Sequence, residues 1–361
     1  MFMGKMSLQS RHVPGGLYFG PPAWDAPVWP ARDIVESSPP TLLPETPAAL
    51  REVLERLKIG NQDIWAPALL DQLKGGGVSD VVLNLVAPQP ESILPRVLTE
   101  FELPQLIAGL NLVRRCVSAH RAILAIPRDE SEIRYQWGAV AKAHRFVVRP
   151  LVNRYPLGHP SILLRALLGM KIQPYASPAD AGIILLDPMT CWILGCWIEF
   201  GGVPHWRPVE LFTHNAMPRL IAANLGQPLS QIFSDAGVIY KDRQCIINGM
   251  MAGELVNPEQ TVLEPWIRII SLRPPPLVEQ SVDCIRCGWC VSACPAGLNP
   301  AGLMAQVRMI DSLPAISAQE ASACIDCGLC SYVCPSRLAL AVTIHSLKTA
   351  KAQAGTPGET T

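Results

Sequence analysis

One cysteine pattern occurs twice near the carboxyl end of this 361-residue chain, and it constrains the fold more than any other feature of the sequence. Each copy has the spacing C-x2-C-x2-C-x3-C-P, and equivalent positions of the two copies lie 40 residues apart. The two copies contain eight of the twelve cysteines. The first copy comprises Cys284, Cys287, Cys290 and Cys294, and the second comprises Cys324, Cys327, Cys330 and Cys334.

Three uses of these cysteines compete. Disulfides stabilise small domains in oxidising compartments, whereas a chain of this length with 49% hydrophobic residues can bury a core without them. Zinc sites usually pair two C-x2-C units across a longer gap, often with histidine, and neither copy contains histidine. The observed spacing is the bacterial signature of 4Fe–4S clusters. The sequence therefore predicts two such clusters, with a zinc-binding module as the alternative.

The spacing also predicts which cysteines share a cluster. Three thiolates on one tight turn can surround one face of a cubane, and Gly288 and Gly328 allow the turn to approach the sulfur atoms. In two-cluster proteins the fourth cysteine of each copy binds the other cluster. Pro295 and Pro335 follow these fourth cysteines and fix the chain direction. We therefore predict that Cys284, Cys287, Cys290 and Cys334 hold the first cluster, and that Cys324, Cys327, Cys330 and Cys294 hold the second.

Composition limits the classes of partner. The net charge is zero and the isoelectric point is near 7, which argues against nucleic acid as a ligand. Charged residues make up 17% of the chain, below the roughly 25% of an ordinary globular protein, as suits a chain that lies against other subunits. The first residues lack the apolar segment of a signal peptide, so we expect a cytoplasmic location. The most apolar stretch, "AGIILLDPMTCWILGCWIEFGG", contains Asp187, Pro188 and Glu199, and its longest uncharged run is too short to span a bilayer. We expect two buried strands around a turn there.

Hydrophobic patterns divide the chain into segments. The fold class we predict is α/β plus β-grasp-like plus all-α, because buried apolar runs alternate with helical patterns before short strands and then helices follow. The predicted segments are a Pro-rich part at 1–45, a Rossmann-like α/β domain at 46–160, a β-grasp region at 161–272, a helical two-cluster domain at 273–350 and a polar tail at 351–361. Between the cysteine copies, an apolar stripe at Leu303, Met304, Val307 and Ile310 predicts a helix.

Several motifs resemble one known family. They are "NRYPLGHPSILLRALLGMKIQPYASPADAGIILLD", "FSDAG" followed by "INGMMAG", and the two cysteine segments "CIRCGWCVSACPAGLNP" and "CIDCGLCSYVCPSRL". In this order they resemble the C subunit of the Rnf ion-translocating electron-transport complex, over residues from about 145 to 345. The resemblance implies a soluble-ligand-binding β-grasp domain and a place on the cytoplasmic face of the inner membrane. It also implies other subunits of a membrane redox complex as partners, with a soluble electron carrier such as ferredoxin or flavodoxin.

The sequence departs from that family where the family binds flavin and NADH. The family has a glycine-rich loop there, since glycine lets backbone amides approach phosphate. This chain has "KIGNQDIWAPALLDQLK", in which Asp63 would put a negative charge beside a phosphate and Trp65 would fill the space for the ligand ring. Gly60, Pro67 and Asn84 are the remnants of the flavin site. The sequence thus argues against FMN and NADH as ligands.

We therefore expect an electron-transfer subunit of the oxidoreductase class that uses two 4Fe–4S clusters. No Ser/His/Asp arrangement or carboxylate pair stands out, so we identify no catalytic residue, and NADH dehydrogenase activity of the chain itself is in doubt. The alternatives are an NADH:FMN-dependent oxidoreductase subunit with an intact flavin site, a cytosolic flavoprotein similar to cobalamin reductases, and a scaffold whose clusters only stabilise the fold. The remaining cysteines, in apolar surroundings, are expected to be packed thiols: Cys116, Cys191, Cys196 and Cys245.

Overall fold

The structure is a computed structural model that describes residues 39–57, 59, 69–169, 177–214, 216–275, 281–309 and 319–354. Residues 39–275 belong to one compact unit and residues 281–354 to a second. The first unit contains two β-sheets with helices. The described part of the second unit contains helices and connecting turns.

The first sheet has four parallel strands in the order β3-β2-β1-β4. They are β1 (Asp80–Asn84), β2 (Arg121–Pro127), β3 (Phe146–Leu151) and β4 (Ile183–Leu186). In the register of the sheet, Asp80 lies between Arg121 on β2 and Ile183 on β4. All four residues of β4 are buried, as are all but one of β1 and of β2, which is typical of a parallel sheet covered on both faces. The predicted mixed α/β fold with a parallel sheet is confirmed.

Helices cover both faces of this sheet. They are α1 (Pro47–Arg56), α2 (Leu69–Gln72), α3 (Leu94–Phe101), α4 (Leu103–Cys116), α5 (Ser131–His144), α6 (Pro160–Leu168) and α7 (Pro188–Phe200), with a short 3-10 turn at Pro178–Ala181. Val81 and Leu83 of β1 join the core formed with α3, α4, α5 and α7. Val82, on the opposite face, joins a smaller core that includes Leu163 and Leu164 of α6. Neighbouring residues of β1 face opposite sides of the sheet because side chains alternate along a strand with a period of two residues.

Helix α1 begins with a side-chain cap and a proline. The Thr46 hydroxyl accepts a hydrogen bond from the Ala49 amide at 3.2 Å, and Pro47 occupies the first turn. Helix α5 spans the segment "SEIRYQWGAVAKAH", in which Ile133, Trp137 and Ala141 are buried on one face.

The apolar stretch that begins at Ala181 corrects one prediction. Its first part is β4, as expected for a buried strand, but its second part is helix α7 and not a strand. Asp187 Oδ1 accepts a hydrogen bond from the Thr190 amide at 3.0 Å and Pro188 follows it, so the helix has an ordinary start. Because every residue from Pro188 to Trp197 is buried, α7 has no polar face and therefore no 3.6-residue alternation in its sequence.

The predicted domain boundary at residue 160 is also wrong. Strand β4 pairs with β1 in the parallel sheet, and α7 packs against α4 beside that sheet. Helix α6, strand β4 and helix α7 therefore belong to the α/β layer, although the segment from residue 161 was predicted as a β-grasp region. The reason is that consecutive elements of an α/β layer return to one sheet, which local patterns do not reveal.

The second sheet has five strands in the order β6-β5-β9-β7-β8. They are β5 (Trp206–Thr213), β6 (Arg219–Asn224), β7 (Gln244–Ile247), β8 (Glu254–Val256) and β9 (Ile269–Arg273), and they are accompanied by helix α8 (Leu229–Asp235). The pair β5–β9 is parallel and the other pairs are antiparallel. Phe233 of α8 packs into a core with Val209 and Ile270 of this sheet.

The described part of the second unit contains the helices α9 (Trp289–Ala293), α10 (Pro300–Met309), α11 (Leu329–Tyr332) and α12 (Leu340–Ala354). The predicted helix between the cysteine copies is confirmed as α10, in which Leu303 and Met304 are buried and Val307 is half-buried. Ile310 lies outside the described residues. Across the part of the chain that the structure describes, we find no helix with the length and apolarity needed to cross a bilayer.

Candidate metal centre

The two cysteine turns share one backbone conformation. Three pairs of residues 40 positions apart have positive φ, namely Arg286 and Asp326, Gly288 and Gly328, and Gly297 and Arg337. Gly288 has φ 77° and Gly328 has φ 73°, which is the left-handed region that favours glycine. A Cβ atom added at Gly288 would meet no protein atom within 4 Å, so the backbone conformation alone explains this glycine.

The hydrogen bonds of the two turns repeat as well. The Ser292 amide donates to the Gly288 carbonyl and the Tyr332 amide donates to the Gly328 carbonyl, both at 3.1 Å. These bonds open the short helices α9 and α11 directly after each glycine. The repeat in the sequence is therefore a repeat in the structure, and it presents equivalent cysteines in equivalent ways.

One cavity of the second unit collects four of the motif cysteines. Cys294 of the first copy lines it together with Cys324, Cys327 and Cys330 of the second copy, and the other four motif cysteines do not. Its free space is about 380 Å³ when the part open to solvent is counted. These four residues are the predicted ligands of the second cluster. The structure thus places the fourth cysteine of one copy beside the first three of the other.

Burial dominates the pKa values of the free thiols in this group. It raises the pKa of Cys324 to about 11 and that of Cys330 to about 12, and the nearby Cys294 thiolate adds to both effects. Burial likewise raises the pKa of Cys327, again with a contribution from Cys294. Because thiolates are the metal ligands, iron must displace protons from these thiols when it binds.

The other predicted set is more exposed. Cys284 and Cys287 are exposed, Cys290 is buried and Cys334 is half-buried. Burial raises the pKa of Cys290, and the thiolates of Cys287 and Cys334 add to it, so Cys334 of the second copy lies near the first turn. Cys290 of this set and Cys330 of the other lie in one hydrophobic cluster, so the two sets share a core.

Equivalent positions of the two turns differ in exposure. Ile285 is 65% exposed, whereas its counterpart Ile325 is 2% exposed. Trp289 is 51% exposed, whereas Leu329 is fully buried. The first turn therefore faces solvent and the second is sheltered.

Backbone amides point at the sulfur atoms. The Leu298 amide donates to Cys294 Sγ at 3.3 Å, and the Asp326 amide donates to Cys324 Sγ at 3.4 Å. Such bonds stabilise thiolates and tune the potential of a bound cluster. Among the described residues no three His, Cys, Asp or Glu side chains form a site for a single metal ion. In a 4Fe–4S cubane each thiolate binds a different iron, so the four sulfur atoms need not converge on one metal ion. The donor set therefore fits a 4Fe–4S cluster.

A lysine that the sequence did not single out also contacts the second turn. Lys348 Nζ donates to the Cys324 carbonyl at 3.1 Å and forms an ion pair with Asp326. No local pattern could have revealed this contact, because the lysine lies 24 residues from Cys324. The only signal was the acidic residue at position 326, where the first copy has Arg286.

The four remaining cysteines are buried in the first unit, as predicted: Cys116, Cys191, Cys196 and Cys245. Cys116 Sγ donates to the Pro44 carbonyl at 3.0 Å. Burial raises the pKa of Cys116 to about 11 and that of Cys245 to about 12, so both are protonated, unreactive thiols at neutral pH.

The carboxyl edge of the parallel sheet is where α/β folds usually bind nucleotides, on free helix N-termini. At the start of α3, Glu210 Oε1 accepts hydrogen bonds from the Leu94 amide at 2.7 Å and from the Ile93 amide. His159 caps α6 and Asp187 caps α7 in the same way. Helix α5 begins after Glu130, an acidic residue that does not suit a phosphate.

Some polar groups that line the cavity at this edge have partners within the protein, whereas the buried side-chain amide of Gln89, which also lines it, has no hydrogen-bond partner among the described residues. Arg268 Nη2 pairs with Asp187 Oδ1 at 2.6 Å, and both side chains are buried. Asn84 Nδ2 donates to the Gly158 carbonyl at 3.1 Å, and Asn84 Oδ1 accepts from the Val86 amide at 3.1 Å. Asn84, one predicted remnant of the flavin site, thus holds two loops together. Gly60 and Pro67 lie outside the described residues. Of the three predicted remnants, the structure therefore describes only Asn84, and its side-chain amide is bound within the protein.

Comparison with known proteins supports the division of the chain. A family model described as "4Fe-4S dicluster domain" matches residues 276–339, and one described as "Nuo51 FMN-binding domain" matches residues 70–193. Chains of an NAD+-reducing [NiFe]-hydrogenase have a similar fold. The air-oxidized form aligns with a TM-score of 0.56 and 15% identity, covering 86% of this chain and 68% of the other, and the H2-reduced form aligns with a TM-score of 0.57. Fold and cysteines together define an iron–sulfur protein with an α/β layer of the Nuo51 type.

Curated relatives are more specific. The C subunit of the ion-translocating oxidoreductase complex of Rhodobacter capsulatus is 26% identical over 212 residues, which cover 56% of this chain and 40% of the relative. The subunits of the same name from Salmonella typhimurium and Erwinia tasmaniensis are 26% and 28% identical over 64% of this chain. The chain spans 30–40% of the length of these three relatives. The chain is thus a relative of the C subunits of Rnf-type complexes, which confirms the resemblance predicted from its motifs.

Proposed function

We propose that the chain is an electron-transfer subunit that relays single electrons through two 4Fe–4S clusters within a membrane-associated complex of the Rnf type. The observation that carries the proposal is the cavity that Cys294 shares with Cys324, Cys327 and Cys330. The name of the curated relatives supports the same function. The clusters, when bound, supply one-electron reduction and oxidation.

The chain's own residues would give the two clusters different roles. The exposed Cys284 and Cys287 would bring the first ligand set to the surface, where a partner can exchange electrons with it. Ile325 and Leu329 would exclude water from the second set. Since Cys290 and Cys330 lie near each other, an electron needs only a short step between the sets.

We also propose that the α/β layer no longer holds FMN or NADH. Its helix N-termini are capped by Glu210, His159 and Asp187, so their amides are not free to bind phosphate. The rival is a flavin-containing subunit, which the match of residues 70–193 to an FMN-binding family favours. In our proposal, the match to the FMN-binding family reflects the fold of residues 70–193 alone. We also propose that the five-stranded sheet is of the soluble-ligand-binding β-grasp type.

The partners we propose are the other subunits of such a complex and a soluble carrier such as ferredoxin or flavodoxin. The proposed location is the cytoplasmic face of the inner membrane. The low fraction of charged residues, 17%, is consistent with a chain largely covered by other subunits.

An electron paramagnetic resonance spectrum of the reduced protein, combined with iron and flavin assays, tests the proposal. We expect two interacting cluster signals and about eight iron atoms per chain, with no stoichiometric flavin. A protein that binds one equivalent of FMN and oxidises NADH would support the rival instead.

Cysteine variants test the crossed ligand sets. We expect Cys294→Ala to lose the same cluster signal as Cys324→Ala, and Cys334→Ala to lose the same signal as Cys284→Ala, each with about half of the iron. Cys245→Ala, which alters a buried thiol of the first unit, is the control and should keep both signals. If Cys294→Ala matches Cys284→Ala, each copy binds its own cluster and the crossing is wrong.

A further inference from the structure

We propose that Lys348 and Asp326 together set the reduction potential of the second cluster. The inference rests on the proposed ligand set of Cys324, Cys327, Cys330 and Cys294. It concerns two charged side chains held against a ligand turn of that set.

Both charges are fixed in place. Lys348 extends from α12 to the second turn, where its Nζ lies 3.1 Å from the Cys324 carbonyl and pairs with Asp326 Oδ2. Its side chain is only 17% exposed. Asp326 has φ 54°, and its amide donates to Cys324 Sγ. His345 Nδ1 lies 3.3 Å from Asp326 Oδ1 and is the third titratable group of this cluster of charges.

The acidic residue of this pair is not repeated at the first turn. Asp326 corresponds to Arg286, a residue of opposite charge that is exposed. Water and salt screen a charge at such a site. Around the second turn, Ile325 is buried along with Cys327 and Cys330, so charges act there in a medium of lower dielectric constant.

The direction of each effect follows from charge alone. Reduction adds one negative charge to a cluster, so a nearby ammonium favours the reduced form and a nearby carboxylate disfavours it. Lys348 should therefore raise the potential of the second cluster and Asp326 should lower it. Groups that surround the ligands without binding iron commonly tune clusters in this way.

The test is a redox titration followed by paramagnetic resonance on the full-length protein. We expect Lys348→Met to lower the potential of the second cluster and Asp326→Asn to raise it, each by up to about tenfold in the one-electron equilibrium constant, or about 59 mV. The double variant should lie near the wild type. Asparagine tolerates the positive φ of this position, so Asp326→Asn keeps the backbone.

Two controls separate charge from structure. Lys348→Arg keeps the positive charge and should keep the potential, and Arg286→Gln should leave the second cluster unchanged. The inference is overturned if Lys348→Met and Asp326→Asn shift the potential in the same direction, or if neither shifts it. If the Lys348→Met variant fails to assemble the cluster, the rise in reduction potential expected for Asp326→Asn still tests the inference. A signal that Cys294→Ala and Cys324→Ala do not both remove would instead refute the ligand set.

Discussion

At the scale of single residues, two glycines bring helices α4 and α7 into backbone contact. A Cβ atom on Gly109 would lie 2.1 Å from the Cys191 carbonyl oxygen, and one on Gly195 would lie 2.1 Å from the Gln105 carbonyl oxygen. Such distances are impossible for real atoms, so the helices can cross this closely only with glycine at both positions. Since α7 is buried, this crossing fixes one side of the α/β core.

We expect Gly109→Ala to destabilise the first unit by about 2–4 kcal/mol, because the helices must separate. Gly138→Ala is the matched control in α5, where an added Cβ meets nothing within 4 Å. There alanine should stabilise the protein by about 0.5–1 kcal/mol, since glycine is a poor helix former. Urea unfolding followed by circular dichroism measures both changes. Equal effects of the two substitutions would show that the crossing tolerates a side chain.

Single residues also show what the sequence could predict. The motif cysteines were found because a local spacing encodes their chemistry. The ion pair between Asp326 and Lys348 could not be predicted from the sequence, because Lys348 lies 22 residues away and its contact depends on how α12 packs. Glu210, 116 residues from the Leu94 amide that it binds, gave no local signal either.

At the scale of elements, Glu210 joins strand β5 to the start of helix α3. Its Oε1 accepts hydrogen bonds from the Ser92 hydroxyl at 2.9 Å and the Leu94 amide at 2.7 Å, and from the Ile93 amide. Burial raises the pKa of Glu210 to about 7, although these bonds and the charge of Arg268 oppose the shift. The side chain thus takes the place that a bound anion would need at α3.

We expect Glu210→Ala to destabilise the protein by about 1–3 kcal/mol, because buried donors lose their acceptor. Glu210→Gln keeps the acceptor oxygen and removes the titration. A carboxyl whose pKa is higher in the folded state stabilises the fold at low pH, and that contribution is lost as pH rises from its ordinary range to about 7. The glutamine variant should therefore match the wild type near pH 5 and exceed it near pH 8, as measured by thermal unfolding. A wild type that gains on the variant with rising pH would show the pKa to be lowered instead.

The elements also differ in how far the sequence predicts them. Helix α5 has one buried face, with Ile133, Trp137 and Ala141, so its sequence shows the helical period. Helix α7 was mistaken for a strand because burial on all sides removes the period that distinguishes helix from strand. Strand β4 was recognised as a strand, yet its place beside β1 depends on long-range pairing that no local pattern encodes.

At the scale of the whole molecule, the two units have cores of very different size. The first unit contains three hydrophobic clusters, which fill both faces of the parallel sheet and one face of the mixed sheet. The hydrophobic cluster described in the second unit has nine buried members, and two of them are the motif cysteines Cys290 and Cys330. A core of that size seldom stabilises a small domain without metal ions or disulfides.

Removal of iron should therefore unfold the second unit and leave the first intact. We expect chelation under reducing conditions to increase amide hydrogen exchange throughout 281–309 and 319–354, because cluster binding supplies much of the folding free energy there. Peptides from the parallel sheet, such as those covering β1 and β2, should keep their protection. Reconstitution with iron and sulfide is the control and should restore the slow exchange. If the second unit stays protected without iron, its helices are stable alone, and the clusters serve electron transfer without supporting the fold.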